Sequence, residues 1–253
     1  MRCTLTAVAL IALVPVAAAL PGLARADGWT GTGELGLAAA RGNARSENLN
    51  AKLDFINEDE RWKHMFGLSV LRAKGELTGD FDGDGVVEER FELTANRWSM
   101  GASSALKMNE RASWISALRH ERDDFGTYES QSTFALGFGY TFYDRETGRL
   151  HAEVGPGYRR AKLFTGATES SAIVRGLLEA SQQLTDNTKL SNTLLIESGE
   201  DNTFAQNDLG VAVSMNERMA LKVGLQVRYN SETSPGAKST DLLTTINLVY
   251  SFQ

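Results

Sequence analysis

Apolar side chains recur at every second position over long stretches of this sequence. In the segments 134–142, 219–229 and 242–252, one set of alternate positions is apolar or aromatic, and the other set is mainly small or polar. Successive side chains of a β-strand point to opposite faces, so this period of two predicts strands with one apolar face. Only Pro156 and Pro235 occur after residue 26, as a hydrogen-bonded strand ladder requires.

The same pattern and the turn residues between its segments predict about twelve strands. We place them at residues 29–40, 46–57, 62–74, 88–106, 112–125, 127–143, 149–163, 170–184, 188–199, 203–215, 219–230 and 241–252. The fourth segment is irregular, because its apolar face changes parity between Leu93 and Trp98. This change predicts a β-bulge near Asn96 and Arg97.

The predicted connections alternate between two kinds. Short polar turns, such as Asn109-Glu110-Arg111 and Asn216-Glu217-Arg218, occupy every second connection, and longer links lie at 75–87, 164–170 and 231–240. Short turns at one end and longer loops at the other are typical of outer-membrane barrels. With an even number of strands, both termini are expected in the periplasm.

Residues 1–26 have the pattern of a cleaved secretory signal peptide. A basic start, an apolar run from Leu5 to Leu20 and the small-residue site Ala24-Arg25-Ala26 follow one another. A membrane anchor is the alternative, but the run is shorter than the roughly 20 residues that span a bilayer. Cleavage would leave residues 27–253 as one barrel domain without cysteine, with 24 basic against 32 acidic side chains and a formal charge of −8. This acidity argues against a nucleic-acid partner.

The charges on the second face of the strands indicate where lipid lies. Alternation alone also fits a soluble lipocalin-like barrel, but such a barrel buries a dry core. Here the second face carries too many charges for a dry core, whereas a wet or ion-paired lumen accepts them. These residues are Glu34, Lys52, Asp54, Glu153, Arg159, Lys222 and Arg228. Trp29, Trp62, Tyr140, Tyr158 and Tyr229 fall towards strand ends, as interfacial aromatic girdles do.

We therefore predict an all-β fold, a closed antiparallel up-and-down transmembrane β-barrel in the outer membrane. Its expected surroundings are outer-membrane lipid and lipopolysaccharide, and the barrel-assembly machinery is the expected partner during insertion. The terminal aromatics Tyr250 and Phe252 fit that route, although Gln253 follows them. The sequence does not indicate an oligomeric state.

Several segments resemble one family. They are Trp29–Gly36 followed by Arg41-Gly42-Asn43, then Arg122–Phe125, Leu136–Tyr140, Glu153–Arg159 and the closing residues 240–252. Together they resemble the YdiY-like family of outer-membrane proteins, which is named for salt induction and is also known as domain of unknown function family 481. The resemblance covers essentially all of residues 27–253. It implies the fold and the location, and it implies no known reaction. The acidic segment after Gly79 looks like an insertion relative to the family.

That acidic segment contains one sharp local motif, Asp80-Phe81-Asp82-Gly83-Asp84-Gly85. Alternate carboxylates closed by a glycine match the first half of a calcium loop. The twelfth position holds Phe91 instead of a glutamate, but Glu88 lies close enough to substitute. The sequence thus predicts Asp80, Asp82, Asp84 and Glu88 as Ca²⁺ ligands, with a solvated acidic loop as the alternative; no other cofactor is expected.

Catalysis is not expected. Residues 27–253 contain His64, His120 and His151, but no Gly-x-Ser-x-Gly or His-Glu-x-x-His motif. The charged run His120–Asp124 is interpreted as a surface cluster at a strand end. The sequence therefore favours a structural or stress-related envelope protein. A narrow passive channel for small solutes or ions is the alternative, and a lipid-acting enzyme is a remote one.

Overall fold

The protein is described by a computed structural model that covers residues 28–40, 45–233 and 238–252. Twelve antiparallel strands close into one barrel, in which each strand pairs with its neighbours in the chain and β1 pairs with β12. The strands are β1 (Trp29–Ala40), β2 (Ser46–Glu58), β3 (Trp62–Gly79), β4 (Glu88–Lys107), β5 (Ala112–Asp123), β6 (Ser130–Arg145), β7 (Gly148–Lys162), β8 (Thr168–Thr185), β9 (Thr188–Gly199), β10 (Thr203–Ser214), β11 (Met219–Asn230) and β12 (Thr240–Phe252). The predicted fold class is therefore confirmed.

The predicted signal peptide lies outside the described residues and stays a prediction. Within them, no helix has the length and apolarity needed to cross a membrane.

The longest hairpin, β3–β4, contains the predicted bulge. Ala73 pairs with Ala95 and Lys74 pairs with Leu93, so Thr94 has no partner and the register shifts there. The extra residue turns alternate side chains to the other face, which explains the change of parity between Leu93 and Trp98. The bulge is therefore confirmed, two residues before the predicted position. The hairpin also continues to Gly79, five residues beyond the predicted end of β3.

One end of the barrel carries Trp29 and Phe252 together with the turns 59–61, 108–111, 146–147, 186–187 and 215–218, and we call it the terminal end. The opposite end, which carries the segments 80–87, 124–129, 163–167 and 200–202, is called the loop end.

Three of the turns at the terminal end share one construction. Asp59 accepts the backbone N–H groups of the residues two and three positions later, at 2.7 Å each. Asn109 and Asn216 each accept the corresponding two N–H groups at 2.9 Å. Each side chain thus satisfies two donors that the strand ladder leaves free.

The wall of the barrel is apolar on its outside. Leu242 is 69% exposed and Ile246 is 64% exposed, and both lie on the same face of β12 as Tyr250. The almost completely buried side chains include the charged Arg159 and Glu197, which point into the lumen. A soluble barrel has the reverse arrangement, so the distribution fits lipid outside and a polar interior.

Candidate functional site

A layer of paired charges crosses the lumen near the loop end. Arg119 donates to Glu121 at 2.9 Å and to Glu197 at 3.1 Å. Arg228 pairs with Glu121 and also donates to Asp123, at 3.2 Å. We call these residues, with Arg97 and Phe204, the ionic layer.

The layer joins opposite walls of the barrel. Glu121 lies on β5 and Arg228 on β11, which are six strands apart in a ring of twelve, so their ion pair spans the lumen. Arg97 on β4 also reaches β11, because it donates to Gln226 at 2.7 Å. Side chains that meet across the ring leave little free cross-section at this level.

Phe204 lies in the middle of the ionic layer. It points into the lumen from the start of β10 and is 0% exposed. The guanidinium carbon of Arg119 lies 4.5 Å from the ring centroid, and that of Arg228 lies 5.1 Å away. Cations in contact with an aromatic face are stabilised by its quadrupole. The ring therefore holds two arginines that would otherwise repel each other.

Towards the terminal end, the lumen charges form smaller local groups. Glu153 accepts a hydrogen bond from Arg175 at 2.8 Å. Glu34 accepts one from Lys222 at 2.7 Å. Lys52 pairs with Asp54 at 2.9 Å. The predicted lumen face of mixed sign is confirmed, and its charges are largely neutralised in pairs.

Cavities lie on both sides of the ionic layer. On the loop side, about 110 Å³ is enclosed by residues that include Tyr128, Asp123 and Arg228. On the other side, spaces of about 280 and 330 Å³ share Asp208 in their lining. The second of these shares Glu153 with a space of about 500 Å³ at the terminal end. The larger cavities thus lie between the ionic layer and the terminal end, and the lumen is narrow at the ionic layer itself.

The interpretation of His120–Asp124 as one surface cluster is wrong for two of its members. β5 continues through this segment, so Glu121 and Asp123 point into the lumen and join the ionic layer. His120 and Arg122 point outwards, and His120 packs against Trp98 with ring centroids 5.2 Å apart. Continuing the alternation from Trp114 and Leu118 assigns even-numbered residues to the outside and odd-numbered residues to the lumen. In a run of consecutive charged residues no apolar side chain marks this period, so the two sets were not separated.

The three histidines lie in different places. His64 stacks on Trp62 at the terminal end, on the outside of the wall. His120 is also outside, near the loop end, whereas His151 points into the lumen, 3.4 Å from a Glu153 oxygen. The structure therefore does not bring two of these histidines into one site.

The predicted calcium ligands are only partly brought together. Single oxygens of Asp80, Asp82 and Asp84 lie within 4.8 Å of one another in the exposed loop between β3 and β4. Glu88 instead pairs with Arg90 at 2.8 Å.

The Asp80 carboxylate already has backbone partners, because it accepts the N–H groups of Gly85 at 2.9 Å and of Gly83 at 2.7 Å. These two hydrogen bonds, that of Gly85 first, hold the pKa of Asp80 below its usual value. These hydrogen bonds thus hold the shape of the loop without an ion, and ion binding stays a prediction.

A closed barrel with an apolar outside and a charged lumen defines the class of outer-membrane β-barrels. Among the solved structures that resemble this chain are a porin and an outer membrane channel. The NanC porin aligns with a TM-score of 0.52 at 7% identity, over 89% of this chain and 99% of the porin. The COG4313 outer membrane channel from Pseudomonas putida F1 gives 0.49 at 9% identity, over 88% and 95%.

The family model described as "Protein of unknown function, DUF481" matches residues 33–252, and the chain belongs to that family. The uncharacterized protein YdiY of Escherichia coli strain K12 is 27% identical over 219 residues, which are 85% of this chain and 80% of YdiY. The resemblance noted in the sequence is therefore confirmed.

Proposed function

We propose that this protein is a non-enzymatic structural component of the outer membrane, with a lumen that is closed at rest by the ionic layer. The pair between Glu121 and Arg228 carries this proposal, because it joins strands on opposite sides of the ring. A conducting pore needs groups that an ion can contact and leave. In the ionic layer the charges instead contact each other, and Glu197 is fully buried.

Planar-bilayer recordings of the purified protein test this proposal. We expect electrically silent insertion, with folding checked by the heat-modifiable mobility that closed barrels show on gels. The natural control is an unfolded sample of the same chain, which should give no mobility shift. Reproducible unitary openings of folded wild-type protein would refute a closed structural role.

A narrow passive channel is the second candidate, and one observation favours it. The cavities of about 280, 330 and 500 Å³ adjoin one another between the ionic layer and the terminal end, so one layer separates them from the loop end. Movement of that layer would connect both sides. Openings in wild-type protein that retain a fixed amplitude at constant voltage would support this candidate and displace the first.

A further inference from the structure

The outward face of β5, β6 and β7 carries a basic band at the loop end. On the loop-end half of β5 to β12, the outward-facing Lys, Arg, Asp and Glu side chains among the described residues are Arg122, Arg160 and Lys162. All three are positive, and all lie on two strands that flank β6. Within β5 to β12, the outward charge at the loop end is therefore confined to β5 and β7.

The strand register places these cations in two adjacent rows. Arg122 pairs with Ser130, which pairs with Lys162 in turn. One row nearer the membrane centre, Ser132 lies between His120 and Arg160. Neighbouring strands are about 4.8 Å apart, so Arg122 and Lys162 lie about 10 Å apart along the first row, and Arg160 lies in the second row.

The cations differ in their partners. Arg122 and Lys162 share the loop carboxylate Glu129, at 3.6 and 2.7 Å, and Arg122 also pairs with Asp124 at 3.2 Å. The side chains of both cations stay about half exposed. Arg160 is exposed and has no ion-pair or hydrogen-bond partner among the described residues. Glu129 thus holds Arg122 and Lys162 towards each other. Arg160, one row nearer the membrane centre, is available to contact a ligand.

The next row is apolar and aromatic. Phe134 pairs with Leu118 on one side and with Tyr158 on the other, and Leu118, Phe134 and Tyr158 are 58, 44 and 54% exposed. Acyl chains would contact this row, so the cations lie at the level where lipid headgroups begin. Clusters of Lys and Arg at that level attract anionic headgroups.

From this placement we propose that the basic band binds the phosphate groups of lipid A, the membrane anchor of lipopolysaccharide. Arg160 and Lys162 contact a phosphate, Arg122 and the serine hydroxyls lie beside them, and the apolar row packs on the acyl chains. The inference rests on the loop end facing the outside of the cell. It does not depend on whether the lumen conducts.

The test is a titration of the membrane-extracted protein with diphosphoryl lipid A, with bound lipid counted by native mass spectrometry. The same lipid without its phosphates and excess inorganic phosphate are the comparison ligands. We expect preferential binding of diphosphoryl lipid A and a roughly fivefold loss of affinity for each cation removed in Arg160→Gln and Arg160→Gln/Lys162→Gln. Affinity should also fall as salt screens the charges.

Arg145 is the matched control, because it is exposed on the outside of the opposite, terminal end, and Arg145→Gln should bind like wild type. Folding of each variant is checked by heat-modifiable mobility, and Arg160→Gln removes no side-chain hydrogen bond or ion pair within the described residues. Equal binding of both lipids, or equal binding by wild type and the Arg160 variants, overturns the proposal. Binding of inorganic phosphate without a preference for the lipid would identify a free-anion site and would also overturn it.

Discussion

Phe204→Ala tests whether the ionic layer closes the lumen. The ring is 0% exposed and contacts two guanidinium groups, those of Arg119 and Arg228. Burial of a phenylalanine contributes about 1.5–3 kcal/mol. Each guanidinium contact adds about 0.5–1 kcal/mol. Because water can enter the space left in a polar lumen, we expect the variant to lose about 3 kcal/mol of unfolding free energy.

The assay combines urea unfolding in phospholipid vesicles with bilayer recordings. Phe204→Ala should be destabilised and should give small openings that wild type lacks, because water replaces the ring in the layer. Phe204→Leu keeps most of the apolar volume and loses the cation contacts, so it should lose about 1–2 kcal/mol and stay closed. Phe134→Ala removes the same ring from the lipid face and should also stay closed.

The result that refutes this reasoning is a Phe204→Ala protein with the unfolding free energy of wild type and a silent bilayer trace. It would mean that the arginines keep the layer closed without the ring. A Phe134→Ala protein that leaks as much as Phe204→Ala would also refute it, because the leak would then come from general loosening of the wall.

Two further predictions concern the connections. The N–H groups of Trp62 and Arg61 lower the pKa of the Asp59 carboxyl from 3.8, so its stabilising contribution is present above that pH and is lost as pH falls below it. Asp59→Ala should lower the unfolding midpoint at pH 7, whereas Asp59→Asn, which reproduces the Asn109 turn, should retain it and show a smaller fall of the melting temperature in acid than wild type. Asp80→Ala should speed proteolysis of the β3–β4 loop even in a chelator, because Asp80 binds two backbone N–H groups. Added Ca²⁺ that fails to slow wild-type cleavage would contradict the predicted ion site.

Most strand positions could be predicted because their causes are local. The period of two marks the strands, and Asp59, Asn109 and Asn216 mark where three of them end. The extent of β3 was missed because its last residues, such as Glu76 and Thr78, lack an apolar face. They are held by pairing with β4, where Glu76 opposes Phe91, and a single segment does not reveal that partner.

The ionic layer could be predicted only in part, for a different reason. Alternation indicated that Arg159 and Arg228 point into the lumen, and the structure confirms it. It could not indicate that Arg228 meets Glu121, because contacts across the lumen depend on strand number, tilt and stagger together. These quantities are properties of the closed ring, and a residue-by-residue pattern does not contain them.

The ionic layer also gives a reason for one strand register over its alternatives. A slip of one residue in β5 would turn Glu121 and Asp123 towards lipid and leave Arg228 without its partners. A charge that faces lipid near the interface costs only about 0–1 kcal/mol, so the larger penalty of the slip is the buried charge that loses its partner, about 3–5 kcal/mol. Because Glu121 and Arg228 come from strands six apart, the pair forms only when both halves of the ring are in register. The same contacts that close the lumen therefore favour the correctly closed barrel over its slipped forms.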